Sequence, residues 1–208
     1  MYRNGIKRLL AVILSLCGMI VLSPLLLILC LAIKIDSPGP IFFRQKRVGI
    51  HKQHFNILKF RTMRIDTPHD MPTHMLKDPD QYITRVGHFL RKTSLDELPQ
   101  LLNILKGDLS IVGPRPERPE IAAQYCEEMP EFALRLQAKA GLTGYAQVYG
   151  KYNTTPYDKL QMDLMYIAHP SLIEDLKIML ATVKILFMPE STEGVAEGQT
   201  TAMGDTNK

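Results

Sequence analysis

Leu9 to Ile33, LLAVILSLCGMIVLSPLLLILCLAI, runs for 25 residues without a charged side chain. That is longer than the ~20 apolar residues needed to cross a bilayer as one helix, and it marks a membrane segment. The run is too long for the apolar centre of a secretory leader, and no small-x-small cleavage site follows it. Ser23-Pro24 falls near its middle. Proline removes a backbone donor and clashes with the preceding turn, so a kink is expected there. Arg3, Lys7 and Arg8 precede the run, and Lys34, Arg44, Lys46 and Arg47 follow it. Lys and Arg collect on the cytoplasmic side of membrane helices. Basic flanks on both sides suit a helix that enters, bends at Pro24 and returns to the same face; a kinked spanning helix is the alternative. Backbone inside lipid must be satisfied internally, so the Ser23 hydroxyl is a natural partner for a carbonyl freed by the proline.

The chain carries +4 overall, but residues 1–65 hold eleven Lys or Arg against one acid, Asp36, a local excess of +10. Such a balance belongs beside anionic material, here a membrane surface; no nucleic-acid partner is expected. Cys17, Cys30 and Cys126 cannot all pair and show no C-x-x-C spacing. Neither a disulfide framework nor a zinc site is indicated.

DSPGP at Asp36 to Pro40 is a turn that closes the membrane segment. The β-branched and aromatic runs Ile41 to Arg44 and Phe55 to Thr62 flank a basic stretch with Gly49, which predicts a two-stranded hairpin. Lys59 and Arg61 alternate with Leu58 and Phe60, so both cations are expected on one face, against a phosphate or lipid headgroups. Arg44, Lys46 and Arg47 read as a juxtamembrane cluster on lipid headgroups. Asp66 to Tyr82 is a long loop, in which His69, Asp70 and His74 read as solvated rather than metal-binding. Asp78-Pro79-Asp80 matches the D-x-D of nucleotide-sugar glycosyltransferases, but the glycine-rich βαβ signals such a fold needs are absent.

In TSLDELPQLLNILKGDLSIVGPRP, Thr93 to Pro116, two acids stand side by side at the head of a leucine pattern. Ser94 with Glu97 spells a capping box. Leu98, Leu101, Leu102 and Leu105 recur at helical spacing and Gly107 supplies a stop, which predicts a helix over Glu97 to Lys106. Pro99 belongs in a first turn and moves the start to near Asp96, where amides and dipole favour an anion. Adjacent helical residues point about 100° apart, so the two carboxylates cannot easily act as one group. They can divide the work: one attacks a phosphorus and the other holds a divalent cation. Further on, Glu117 to Ala138 reads as helical with a break at Pro130. AGLTGYAQVYG reads as a loop with a short strand, and residues 189–208 as a tail. Ser171 to Phe187 is an amphipathic helix whose stripe of Leu172, Leu176, Met179, Leu180, Val183 and Leu186 is expected to pack on the core, the bilayer interface being the alternative.

SPGPIFFRQKRVG, FNILKFRTM, SLDELPQLLNILKGDLSIVGPRP, GLTGYAQV and EGQTT, in this order behind the Ser23-Pro24 break, resemble the monotopic phosphoglycosyl transferases of the bacterial sugar transferase group. The resemblance covers nearly the whole chain. It implies an α+β fold: a re-entrant membrane helix over 1–36, one mainly helical catalytic domain with a small β-hairpin over 37–188, and a tail over 189–208. It implies transfer of a sugar-1-phosphate from a UDP-sugar to a polyprenol phosphate, undecaprenyl phosphate being the expected one, at the cytoplasmic face of the inner membrane. By the same resemblance Asp96 is the nucleophile, forming a covalent phosphosugar intermediate with loss of UMP, and Glu97 is the Mg²⁺ partner. Lys59 and Arg91 steady phosphate oxygens, Arg115 with Pro116 forms part of the nucleotide or phosphate pocket, and Asp163 lies near the site. A homodimer is left open. Lys139-Ala140-Gly141, Tyr145 to Lys151 and Leu164-Met165-Tyr166 depart from the usual pattern, which bears on sugar identity. A non-catalytic adaptor on anionic lipid explains the basic N-terminal part but gives Asp96, Glu97 and GPRP no purpose.

Overall fold

The computed structural model describes residues 2–68, 78–150 and 154–187; His69, Asp70, His74 and residues 189–208 lie outside them. The apolar run folds as two helices, α1 (Lys7–Val21) and α2 (Ser23–Asp36), bent by 64° about Leu22. Among the described residues no single helix is long and apolar enough to cross a membrane, but this bent pair passes by length and composition. Pro24 sits in the first turn of α2, where a missing N–H has no intrahelical partner to lose. Four residues before it, the Ile20 carbonyl accepts the Ser23 hydroxyl instead, at 2.8 Å. The break is therefore chemically closed, as the Ser-Pro pair suggests.

One side of each arm faces protein. Ala11 of α1 packs with Ile104, Leu109 and Ala140, and Leu29 and Ile33 of α2 pack with Phe60 and Leu90. Each such leucine or isoleucine contributes roughly 1.5–3 kcal/mol on full burial. The other side is bare: Val21, Leu27 and Ile35 are each at least 70% exposed.

The predicted hairpin forms from β1 (Phe42–Val48) and β2 (His54–Phe60), antiparallel, with Phe42 opposite Phe60 and Val48 opposite His54. Helices α3 (Arg85–Lys92) and α4 (Gln100–Lys106) follow, and Gly107 ends α4 in the left-handed region at φ +102°. A second, parallel pair joins β3 (Ser110–Val112) to β4 (Gly141–Thr143). Between them run α5 (Pro119–Glu128) and a 3₁₀ segment over Pro130–Gln137, divided near Pro130 as expected. The chain continues through α6 (Tyr145–Tyr149), α7 (Pro156–Ala168) and α8 (Leu172–Leu186). The architecture is α+β and mainly helical.

Helix α8 corrects one expectation. Most of its aliphatic stripe does not face the core: Leu172, Leu176, Leu180, Val183 and Leu186 are all exposed, and of the six residues only Met179 packs with Val112, Tyr166 and Ile178. The buried side carries Asp175 and Ile178. Asp175 accepts hydrogen bonds from the Tyr2 and Tyr166 hydroxyls and lies 3.1 Å from Lys7 Nζ. A buried carboxylate must be paired, and its partners lie on the start of α1 and on α7. That requirement turns Asp175 inward and the leucines outward.

Candidate active site

The two acids do not sit on a helix N-terminus. Ser94 adopts the left-handed region at φ +55° and makes no side-chain cap, so the predicted capping box does not form. Leu95–Glu97 is one 3₁₀ turn, Pro99 is the residue before α4, and α4 begins at Gln100 rather than at Glu97 or Asp96. The physical reason lies in Glu97, whose carboxylate is drawn away from the backbone by two cations. Leu95 and Leu98, on either side of the pair, pack against the cluster of Leu29, Ile33, Phe60 and Leu90. The leucines that flank the acids thus share one apolar cluster with the inner face of α2.

Lys59 reaches them from the end of β2. Its Nζ is 2.7 Å from Glu97 Oε1 and 3.8 Å from Asp96 Oδ2. Asn103 of α4 fixes the strand: its Oδ1 accepts the Leu58 N–H at 2.9 Å, and its Nδ2 donates to the Asn56 carbonyl at 2.8 Å. A side-chain amide thus takes the place of a third strand, and holds Lys59 opposite the turn. Arg115, in the loop after β3, places Nη2 2.9 Å from the same Oε1. Arg91 of α3 donates from Nε to the Thr62 hydroxyl at 3.0 Å and adds positive potential at Asp96.

The two carboxyls are pushed in opposite directions. Burial raises the Asp96 pKa above its ordinary value; Lys59, Arg91 and Arg115 pull it down, and the Glu97 charge pushes it up again. Burial also acts to raise Glu97, but Arg115 and Lys59 outweigh it and hold that carboxyl far below the usual range. Glu97 is therefore a fixed anion, and Asp96 is the more basic of the pair. Adjacent acids in such different states can carry different roles.

Two expected residues lie elsewhere. Arg61 is not on the Lys59 face: it falls one residue past β2 and is buried, donating to the Pro38 carbonyl at 2.6 Å and the Ser37 carbonyl at 2.8 Å. It closes the exit of α2, because buried carbonyls there need donors. Asp163 is buried at 1% exposure and does not touch the acids; its Oδ2 is 2.6 Å from Arg135 Nη2. Pro116 joins the site through its carbonyl, which accepts Arg47 Nη1 at 3.0 Å. Arg47 accordingly leaves the headgroup cluster proposed for it and turns towards the protein; burial and the neighbouring Arg115 push its pKa down to about 10, and it stays charged at neutral pH. Arg47, Asn103 and Arg135 are absent from the sequence-derived site. For Arg47 the available signal was strand alternation, which separates it from Lys46.

Among the described residues no group of three or more His, Cys, Asp or Glu side chains is placed to hold a metal by protein ligands alone. Both cations approach Glu97 through the same oxygen, Oε1. Mg²⁺ is commonly held by one or two carboxylates plus phosphate oxygens and water, which this pair of acids fits.

Comparison with known proteins gives a consistent picture. The family model described as bacterial sugar transferase matches residues 2–189. A Caulobacter vibrioides protein named UDP-glucose:undecaprenyl-phosphate glucose-1-phosphate transferase is 44% identical, over 89% of this chain and 71% of its own length. An Aeromonas hydrophila protein named UDP-N-acetylgalactosamine-undecaprenyl-phosphate N-acetylgalactosaminephosphotransferase is 37% identical, over 87% of this chain and 43% of its own length. A Rhizobium leguminosarum exopolysaccharide production protein is 38% identical, over 86% of this chain and 93% of its own length. The chain thus spans most of two of these relatives and less than half of the third.

Proposed function

This chain belongs to the bacterial sugar transferase family, and on that premise we propose that it moves a sugar-1-phosphate from a UDP-sugar to undecaprenyl phosphate. The observation that carries the reading is the half-buried acid pair with Lys59, Arg91 and Arg115 converging on it, flanked by leucines that pack with the inner face of α2. A polyprenol phosphate cannot leave the bilayer and a nucleotide sugar cannot enter it. A site that serves both must lie at the interface, where the bent α1–α2 pair would hold it.

Asp96, the more basic acid, attacks the phosphorus that bears the sugar. The bond between that phosphorus and the oxygen bridging to the nucleotide's own phosphorus breaks, and UMP leaves with the bridging oxygen. The carboxylate now carries the phosphosugar. An oxygen of the polyprenol phosphate then attacks the same phosphorus, the acyl-phosphate bond breaks, and Asp96 returns to carboxylate as the polyprenyl diphosphosugar departs. The covalent stage separates the two encounters in time, the logic of ping-pong kinetics. Lys59, Arg91 and Arg115 offset the charge of the phosphate oxygens, which favours the transition state over the free reactants. Glu97 is held ionised throughout. Glu97 would hold Mg²⁺, which when bound supplies further charge neutralisation.

Membrane seating rests on the bare apolar side of α1 and α2, and on the outward leucines of α8. The Ser-Pro break with its internal hydrogen bond favours a re-entrant hairpin, with both ends on the cytoplasmic face. The test is UMP release by detergent-purified protein with undecaprenyl phosphate, Mg²⁺ and a panel of UDP-sugars headed by UDP-glucose and UDP-N-acetylgalactosamine. Release by the wild-type chain and not by Asp96→Asn is the expected result. Release undiminished in that variant would remove Asp96 as nucleophile, and a folded wild-type chain silent across the panel would remove UDP-sugars as donors.

A further inference from the structure

Four successive carbonyls in the loop that carries Arg115 each accept a hydrogen bond. Pro114 accepts from the Gly141 N–H at 3.0 Å, Arg115 from Arg135 Nη2 at 3.2 Å, Pro116 from Arg47 Nη1 at 3.0 Å, and Glu117 from the Val48 N–H at 3.0 Å. Two of the four donors are arginine side chains. One of them, Arg135, holds the very residue whose own guanidinium meets Glu97.

Arg135 is itself fixed on several sides. Its Nε and Nη2 lie 2.7 and 2.6 Å from Asp163 Oδ2, its Nη1 is 3.8 Å from Glu117 Oε1, and its guanidinium carbon stands 4.6 Å from the centre of the Phe132 ring. Arg135 is 6% exposed and Asp163 1%. Burying two charges costs several kcal/mol per ion before their attraction is counted, and a well-packed apolar pair of similar volume is often as stable or more so. Stability alone gives such a pair little reason to be here. Direction does: a guanidinium offers donors in a fixed fork, and one pinned on Asp163 presents a donor to the Arg115 carbonyl at a defined place.

We propose that Arg135, held by Asp163, is a positioning residue that sets the reach of Arg115 to Glu97. Asp163 then acts at second remove from the acids, through two arginines. The inference rests on the proposed transfer reaction, in which Arg115 serves both Glu97 and the phosphate oxygens.

Two variants separate this role from simple stabilisation. Arg135→Lys keeps a charge for Asp163 but replaces the fork with a single ammonium, so one group cannot serve Asp163 and the Arg115 carbonyl as before. Arg135→Met with Asp163→Leu removes both buried charges at once and leaves neither orphaned. Each is expected to fold, shown by circular dichroism, and to lose about 10-fold in turnover, the scale of supporting-shell changes. The loss should fall on whichever of kcat and KM the Arg115→Gln change affects. In an Arg115→Gln background the same changes should cost less than about twofold, since residues acting as one unit are not additive. Full turnover in folded Arg135→Lys, or losses that multiply in the Arg115→Gln background, would overturn the proposal. A further readout needs no turnover: amide exchange across Gly113 to Arg118 should quicken in Arg135→Lys. Quicker exchange in a protein inactive with every UDP-sugar would count against the reaction and support the positioning role. An active protein whose loop exchange is unchanged in Arg135→Lys would count against the positioning role alone.

Discussion

Glu97 and Arg115, 18 positions apart in the chain, meet at 2.9 Å, and they do so on the carboxylate oxygen that Lys59 also holds. This convergence lowers the Glu97 pKa in the folded state. A group whose folded pKa is depressed stabilises the fold above its unfolded pKa, about 4.3 for glutamate, and loses that contribution as pH falls towards the folded value. Glu97→Gln should therefore cost about 1.5–3 kcal/mol at pH 7, the range for hydrogen bonds to charged groups. The difference from wild type should shrink once pH falls below about 4.3. Thermal melts followed by circular dichroism from pH 7 downwards check this; a constant difference would place the loss in packing.

Asp96 has the opposite sign. Its folded pKa is raised, chiefly by burial, so its ionised form costs stability above the unfolded pKa. Asp96→Asn should melt slightly higher than wild type at pH 7 while losing about a thousandfold or more in turnover, as expected for a nucleophile. A melting point lowered by several degrees would mean that Asp96 is held by its cations more than it is penalised by burial.

The same shift sets the acid side of the rate profile. Asp96 must be ionised to attack, so kcat should fall on acidification through a pKa above the ordinary aspartate value of about 3.9. Arg115→Gln removes a charge that lowers both carboxyls and should move that limb to higher pH. Steady-state rates over pH 4.5 to 8 in one detergent decide it; a limb that moves to lower pH would contradict the electrostatic account.

The outward stripe of α8 predicts a separable defect. Leu176→Lys with Leu180→Lys should weaken binding to phospholipid vesicles, since these side chains are 51% and 63% exposed and make little of the core. Turnover in detergent micelles should change less than about twofold, as expected for substitutions that leave the core contacts in place. Vesicle flotation against micellar activity gives the comparison, and parallel loss of both would mean that α8 supports the fold instead.

Features carried by local chemistry were legible in the sequence. The Ser23-Pro24 break, the hairpin about Gly49, the stop at Gly107 and the division near Pro130 each depend on proline, glycine or a periodic run a few residues long. What was not legible depends on partners far along the chain. Arg61 leaves the Lys59 face for carbonyls 24 and 23 positions away, and Arg135 meets an acid 28 positions away. Helix α8 is turned by Asp175, whose partners include Lys7 and Tyr2, 168 and 173 positions earlier. The expected helix start at the acid pair also gave way to distant partners: Asp96 and Glu97 lie in a 3₁₀ turn ahead of α4, and Lys59 and Arg115 supply the positive charge there.

The bend between α1 and α2 sets a depth. Each arm is about 22 Å long by the helical rise. At a 64° bend, a symmetric seat carries the tip only about 12 Å down, short of the midplane of a ~30 Å hydrocarbon core. A wedge of that depth widens one monolayer and leaves the opposite one untouched. The proposed enzyme would then bind most readily where its own leaflet is loosely packed, and its membrane affinity would vary with lateral pressure and curvature as well as with charge.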